Sequence, residues 1–369
     1  RIIHVNLTET CTKSATPMTR GKDLTPITGA MCWRGEDLSK DDGWIRDFTD
    51  SEIVELEIAV GATINTPIQD IVSQTFPLPS LAIILDQVRH ELIDGHGFML
   101  LRGLPVHRWS REAAARAYWG ICSHIGQPVS QNPDGHLLGH VKDIGGDFHD
   151  LHSRGGYRSR ARLPFHTDVG ADVVALLCLH TAKAGGHSSV VSLAAIYNLM
   201  LEQRPDLVAE LSVAIYRDRR GEIPPGKSPY YRAPVFCLHE KRLTTTFVRR
   251  FIDSAPRHAG VPELTAQLTE ALDHFEDIAN HTGLRLDMNF KPGDIQLVNN
   301  LTTLHARTDY EDFNTPGLKR HLLRLWLAVP DGWPLPEFYY DRFGTLAGSE
   351  RPAGMALPGV TLSVPLDVT

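Results

Sequence analysis

Cysteine is scarce in this chain: Cys11, Cys32, Cys122, Cys178 and Cys237 are odd in number, widely spaced and form no C-x-x-C pair. That pattern indicates neither a disulfide framework nor a zinc knuckle, and reduced thiols in an intracellular, cytoplasmic protein are the simpler expectation. No apolar run reaches the roughly 18 residues needed to cross a bilayer, so no membrane segment is expected. A basic stretch followed by an apolar core is missing from the N-terminus, so no secretory signal is visible, although the absent initiator Met leaves room for a removed segment. Neither G-x-G-x-x-G opening a helix after a strand nor G-x-x-x-x-G-K-[ST] occurs, which removes the usual nucleotide cofactors. A net charge of -7 and a pI near 6.2 argue against a nucleic-acid surface over the whole molecule.

What is present is a soluble globular composition, 42% hydrophobic and 22% charged over 369 residues, long enough for one large domain or two ordinary ones. Residues 1–48 are polar, Thr-rich and poorly periodic and read as an N-terminal arm; residues 49–369 read as a single catalytic domain. Helices are expected over 50–60, capped by Asp50 or Ser51, over 81–92, from the Ser110 cap to about 125, from the Ser192 cap to about 203, and over 262–281. Between and after them lie short apolar strands: 98–105, 172–180, a Gly turn into 192, then 213–216, 235–238, 243–248, 284–290, 295–300 and 320–329. Many short strands with Gly/Pro turns around a few helices argue for an α+β fold built on a β-sandwich or jelly roll. The Gly-rich polar stretch 130–162 reads as a lid-like insertion. Its Arg154, Arg158, Arg160 and Arg162 fit either a solvated loop or an anionic-substrate funnel.

The chemistry centres on Leu163-Pro-Phe-His166-Thr-Asp168. In an extended segment His166 and Asp168 point to the same side of the backbone. An imidazole and a carboxylate so placed supply two ligands of the 2-His-1-carboxylate face that holds non-haem Fe(II) and leaves positions open. His-x-Asp/Glu alone is weak, because composition predicts roughly two chance matches, and a second, His274-Phe-Glu276, does occur. That second pair falls off the apolar stripe of its helix and reads as a solvated face. His305, after the apolar run 295–298 and the pair Asn299-Asn300, is the candidate third ligand, although a lone His there is more often structural. On the following strand Arg320, Leu322, Arg324 and Trp326 share one face, with the two Arg about 13 Å apart. Burying two guanidinium groups calls for anions, and a bound carboxylate would fit them; pairing with protein acids, or projection from an edge strand, stays open.

Together, His166-Thr-Asp168, Gly185-Gly-His-Ser188, Pro292-Gly-Asp294, Asn300, His305 and Arg320-x-x-x-Arg324 resemble the TauD/TfdA group (taurine dioxygenase-like, clavaminate synthase-like) of Fe(II)/2-oxoglutarate dioxygenases, over about residues 95–345. The resemblance implies a double-stranded β-helix, or jelly roll, with Fe(II) on His166, Asp168 and His305, and 2-oxoglutarate and O2 as cosubstrates. It implies that Arg320 pairs with the distal carboxylate of 2-oxoglutarate, that Ser188 donates a hydroxyl to it, and that Arg324 faces the substrate or the cosubstrate's other end. His187 stands where many relatives have an acid. The implied reaction is oxidation of an unactivated C–H bond, by hydroxylation, desaturation or cyclisation, giving succinate and CO2. Arg324 and the basic cluster that includes Arg162 suggest a small anionic or zwitterionic substrate bearing a carboxylate or sulfonate, such as an amino acid. Trp326, Phe338, Tyr339, Tyr340 and Phe343 would wall the pocket, or pack in the core, or form a subunit contact of a homo-oligomer. No nucleic acid or membrane partner is expected. A zinc-type hydrolase and a non-oxygenase metal-binding jelly roll remain as rivals, the first lacking a second acid/base motif beside His166 and the second lacking a use for Arg320.

Overall fold

The computed structural model describes residues 24–147, 149–151 and 156–368, apart from the side chains of 341–343. Two β-sheets carry the fold. The larger runs, edge to edge, Ile45–Asp47, Phe98–Arg102, Ile295–Asn299, Val173–His180, His321–Ala328 and Gln127–Val129, with Leu138–Val141 also pairing to His321–Ala328. All its pairings are antiparallel except the first. The smaller sheet runs Leu286–Met288, Ser188–Ser192, Thr303–Arg307, Leu163–His166, antiparallel throughout.

Strand alternation sorts the side chains into layers. On the larger sheet Val173, Ala175, Leu177, Leu323, Leu325 and Leu327 pack against the helices Asp50–Ala62, Leu81–Asp94 and Arg111–Ser123. On its other face Leu176, Leu322, Arg324 and Trp326 turn toward the smaller sheet. The smaller sheet buries Val191 and Leu304 outward, among Leu193–Gln203, Pro205–Leu211 and Ala266–Ala279. Each sheet is therefore covered by helices outside, and the two inner faces enclose the site, as in a jelly roll.

Local chemistry explains most boundaries. Ser110 and Ser192 cap their helices by accepting from Ala113 and Ala195 N–H. Thr49, rather than Asp50 or Ser51, caps the first long helix, in a reciprocal capping box with Glu52. The helix read as 262–281 is Ala266–Ala279, starting at the Thr265 cap.

Two segments depart from the sequence reading. The arm expected over residues 1–48 includes parts of the folded domain, since Trp33 is buried and Ile45–Asp47 is an edge strand; residues 1–23 lie outside the described residues. Within the stretch read as a lid, Leu138–Val141 is a strand of the larger sheet, because Leu138 and Val141 fill buried positions beside His321–Ala328 that a Gly/His-rich composition conceals. Among the described residues no helix is long and apolar enough to cross a membrane. Cys32, Cys122, Cys178 and Cys237 are free thiols, and Cys11 is outside the described residues.

Candidate metal and cosubstrate site

His166 ends an inner strand, and Thr167 turns away from it: its N–H donates to Phe247 O at 2.8 Å and its Oγ1 accepts from Phe247 N–H at 2.9 Å. Asn300 pins the next turn, accepting from Asp168 N–H at 2.7 Å and donating to the carbonyls of Asp168 (2.7 Å) and Ala171 (3.0 Å). His305 sits in mid-strand on Thr303–Arg307, directly opposite His166, with ring centroids 4.3 Å apart. His166, Asp168 and His305 thus place three ligand atoms within 4.8 Å of one another, the group of this kind found among the described residues.

The donors suit a divalent ion. His166 Nδ1 is held at 2.7 Å from the Pro164 carbonyl, which assigns its proton there and leaves Nε2 as the ligand atom. Nε2 of His166 and of His305 lie 3.8 and 3.9 Å from Asp168 Oδ1. The other carboxylate oxygen, Oδ2, accepts from Arg324 Nη1 at 3.0 Å and Trp326 Nε1 at 2.6 Å. One oxygen of Asp168 is therefore fixed and the other presented. Burial pushes both imidazoles down, His305 to about 3, so each is neutral with a lone pair to give. Burial raises the Asp168 carboxyl, but the Arg324 guanidinium, with the Trp326 N–H beside it, outweighs it and holds it below its ordinary value. His305 Nδ1 is buried without a partner, unlike its counterpart in His166.

These residues line a cleft of about 330 Å3 between the sheets, at the small end of ligand-pocket sizes. Arg320 and Ser188 line it too. Arg320 is 4% exposed, its Nη1 has no partner, and it lies against Tyr310. The Gly185-Gly186 turn makes that position available, because a Cβ on Gly186, at φ +71°, would come 3.0 Å from Arg320 Nε. Ser188 Oγ accepts from Gln296 Nε2 at 3.2 Å. Pro292-Gly-Asp294 is a structural turn outside the cleft lining: Asp294 takes two bonds from Arg102, and a Cβ on Gly293 would meet Leu104 O at 2.0 Å.

Several expectations change. Arg324 lines the cleft, but it spends Nε on Gln131 Oε1 at 2.7 Å and Nη1 on Asp168. Two of its donors are thus already taken by the protein itself. Arg162 is exposed and donates to Asn280 at 2.7 Å, away from the cleft lining, so it forms no funnel. Arg160 pairs with Asp143, and Arg154 lies outside the described residues. Of the proposed aromatic walls only Trp326 lines the cleft; Phe338, Tyr339 and Tyr340 pack in a separate cluster with Leu301 and Leu335. The Phe343 side chain lies outside the described residues. The apolar walls are instead Tyr157, Phe165, Leu176, Phe251, Phe290 and Leu322. Glu276 of the second His-x-Glu pair is bound to Arg249 at 3.0 Å.

Three cleft residues escaped the sequence reading. Gln131 and Arg250 carried no local signal, the first coming from a loop and the second from the short helix Arg249–Asp253, both distant in sequence from His305 and the metal motif. Arg307 did carry one, standing two residues after His305 and so on the same strand face.

The model of the "Taurine catabolism dioxygenase TauD, TfdA family" matches residues 64–326. FR-33289 synthase of Streptomyces rubellomurinus is 33% identical over 319 residues, 84% of this chain and 93% of the relative. The taurine hydroxylase-like protein SAT17 of Stachybotrys chartarum is 31% identical over 323 residues, 84% and 82% of the two chains. Among solved structures, asparagine oxygenase in complex with Fe(II), 3-hydroxyasparagine and succinate superposes with a TM-score of 0.59 at 18% identity, covering 77% of this chain and 93% of that one. The non-haem iron oxygenase OrfP with Fe and 2-oxoglutarate gives 0.58 at 14% identity, covering 85% and 99%.

Proposed function

The chain belongs to the TauD/TfdA family and is an Fe(II)/2-oxoglutarate-dependent dioxygenase; from that premise we propose that His166, Asp168 and His305 hold the iron, with the distal carboxylate of 2-oxoglutarate on Arg320 and Ser188. The observation that carries this reading is the convergence of two neutral imidazole nitrogens on the single presented oxygen of Asp168. Bound there, the iron supplies oxidative decarboxylation of 2-oxoglutarate by O2 and oxidation of a substrate C–H bond. The rivals drawn from sequence, a zinc-type hydrolase and a non-oxygenase jelly roll, lose their place once the family is known.

The chain's own residues orient and shield. Arg324 and Trp326 fix the Asp168 carboxylate, and Asn300 fixes the backbone beneath it. Tyr157, over the Arg324 guanidinium at 4.6 Å, and Phe251 exclude water from the cleft. We assign the primary substrate to small carboxylate- or sulfonate-bearing molecules, amino acids foremost, oxidised at an unactivated C–H bond by hydroxylation, desaturation or cyclisation. Support comes from the cleft size and from Arg250, a cleft-lining guanidinium close enough to His166 to depress its basicity. Arg250 takes the anion-recognition role that Arg162 cannot. Glu222, with Asp253 and Glu276, which share Arg249, gives the same lining the negative charge that suits the ammonium of a zwitterion.

The test is a panel of amino acids, sulfonates and carboxylates, with substrate-stimulated succinate formation as the readout. One or more should stimulate turnover, and Arg250→Ala should raise the KM for it about tenfold or more. Stimulation only by a neutral or much larger compound would end the small-anion assignment. Without air, Fe(II) and 2-oxoglutarate should give a visible charge-transfer band that is lost in His166→Ala.

A further inference from the structure

We propose that Arg307 is a second guanidinium for the distal carboxylate of 2-oxoglutarate, so that the cosubstrate's free end lies between Arg307 and Arg320 instead of on Arg320 alone. The inference rests on the cosubstrate reading above and goes beyond it in naming a binding residue outside the family motif.

Backbone register makes the first argument. His305 and Arg307 are two residues apart on one strand and point to the same side, into the cleft they both line. The antiparallel register sets Arg307 opposite Ser188, the hydroxyl already assigned to that carboxylate. Arg307 and Arg320 also share one aromatic support, their guanidinium carbons lying 4.8 and 5.2 Å from the Tyr310 ring centre.

Unmet hydrogen bonding makes the second. Arg307 is 5% exposed. Its Nη2 donates to the carbonyls of Ser159, at 2.8 Å, and Ala161, which fixes the orientation of the plane. Nε and Nη1 are left buried with no partner, and so is Nη1 of Arg320. Buried donors on a cation are costly to leave unmade, more so than neutral ones. The nearby protein acids do not answer them: Asp312 Oδ1 accepts the Arg320 backbone N–H at 2.7 Å while its Oδ2 is buried without a partner, and Asp143 pairs with Arg160 at 3.1 Å. Two guanidinium groups beside one such carboxylate leave a positive excess, and what fits it is an incoming anion. A carboxylate end, with about four acceptor positions, can take donors from both Arg residues and from Ser188.

The experiment compares two ligands in anaerobic, Fe(II)-loaded protein, following the charge-transfer band: 2-oxoglutarate, and 2-oxopentanoate, which keeps the 2-oxo acid but lacks the distal carboxylate. Arg307→Gln should weaken 2-oxoglutarate about 10- to 100-fold while changing 2-oxopentanoate less than about threefold, and Arg307→Lys should recover part of the loss. Equal weakening of both ligands would mean that Arg307 acts only through its tether to Ser159 and Ala161, and would overturn the proposal, as would an unchanged affinity for 2-oxoglutarate. Should Arg307→Gln fail to fold, the ratio of the two affinities in Arg307→Lys decides by the same criterion. A wild-type protein with no band in 2-oxoglutarate would instead overturn the cosubstrate reading itself, and this assignment with it.

Discussion

Arg324 and Asp168 form an ion pair at 3.0 Å in which each side chain is 8% exposed, and the oxygen that Arg324 holds is not the one that faces His166 and His305. The pair divides the carboxylate into a fixed half and an available half. Trp326, two residues further along the same strand face, adds a second donor to the fixed half.

Removing that support should loosen the metal before anything else. Arg324→Met is expected to weaken Fe(II) binding about 10- to 100-fold, and Trp326→Phe by less, because each removes one of the two orienting donors of Asp168 but only Arg324 brings a charge. Metal titration followed by competition with a chelator reads this directly; an unchanged Fe(II) affinity with a large rise in substrate KM would return Arg324 to a substrate role.

Asn300 supports the same carboxylate from the backbone side, through one accepted and two donated bonds. Asn300→Ala should cost about 2–4 kcal/mol of stability together with roughly tenfold in Fe(II) affinity, measured by denaturant unfolding and metal titration. Asn300→Asp keeps the acceptor for Asp168 N–H but strands two carbonyls and adds a charge, so it should be no better.

Gly186 sits at φ +71° with Arg320 Nε 3.0 Å from where a Cβ would be. Gly186→Ala strains the turn and displaces the guanidinium, and is expected to raise the Kd for 2-oxoglutarate on the order of tenfold with little change in Fe(II) affinity. Calorimetric titration of the two ligands separates the effects; parallel losses would point to collapse of the sheet edge instead.

Acid should destabilise the protein through a histidine pair away from the metal. His140 Nδ1 and His321 Nε2 are 2.8 Å apart, and His140 Nε2 lies 2.9 Å from the Pro365 carbonyl. Burial, then His140, Lys142, Arg111 and His180, push His321 down to about 3, and burial lowers His140 as well. The folded state therefore binds fewer protons than the unfolded chain below the unfolded histidine value near 6.5. The stability contributed is complete above that pH and is lost as the pH falls from about 6.5 toward 3. Urea unfolding midpoints of the metal-free protein should drop over that interval, and His321→Phe should flatten the dependence.

The two-residue periodicity of an extended chain was enough to pair His166 with Asp168 and to set Arg320, Arg324 and Trp326 on one face, since side-chain direction in a strand is a local property. Helix caps at Ser110 and Ser192 were legible for the same reason, as were the buried strands 173–180 and 295–299. His305 was found by its place in a motif, because nothing local marks a histidine 137 residues beyond Asp168 as its neighbour. The strand at 138–141 escaped notice, because its pairing to strand 321–328 and the burial of Leu138 and Val141 come from residues distant in sequence.

By itself, then, the amino-acid order carried the resemblance to the family, and the jelly-roll class and the three candidate ligands followed as what that resemblance implies. Only the folded chain decided how the charges are spent: Arg324 on Asp168, Arg162 on Asn280 at the surface, Arg250 in the cleft, and Arg307 buried with two donors unmet. The reason is that a guanidinium's role depends on which acceptors surround it, and those acceptors come from strands and loops far apart along the chain that meet only when the two sheets close on each other.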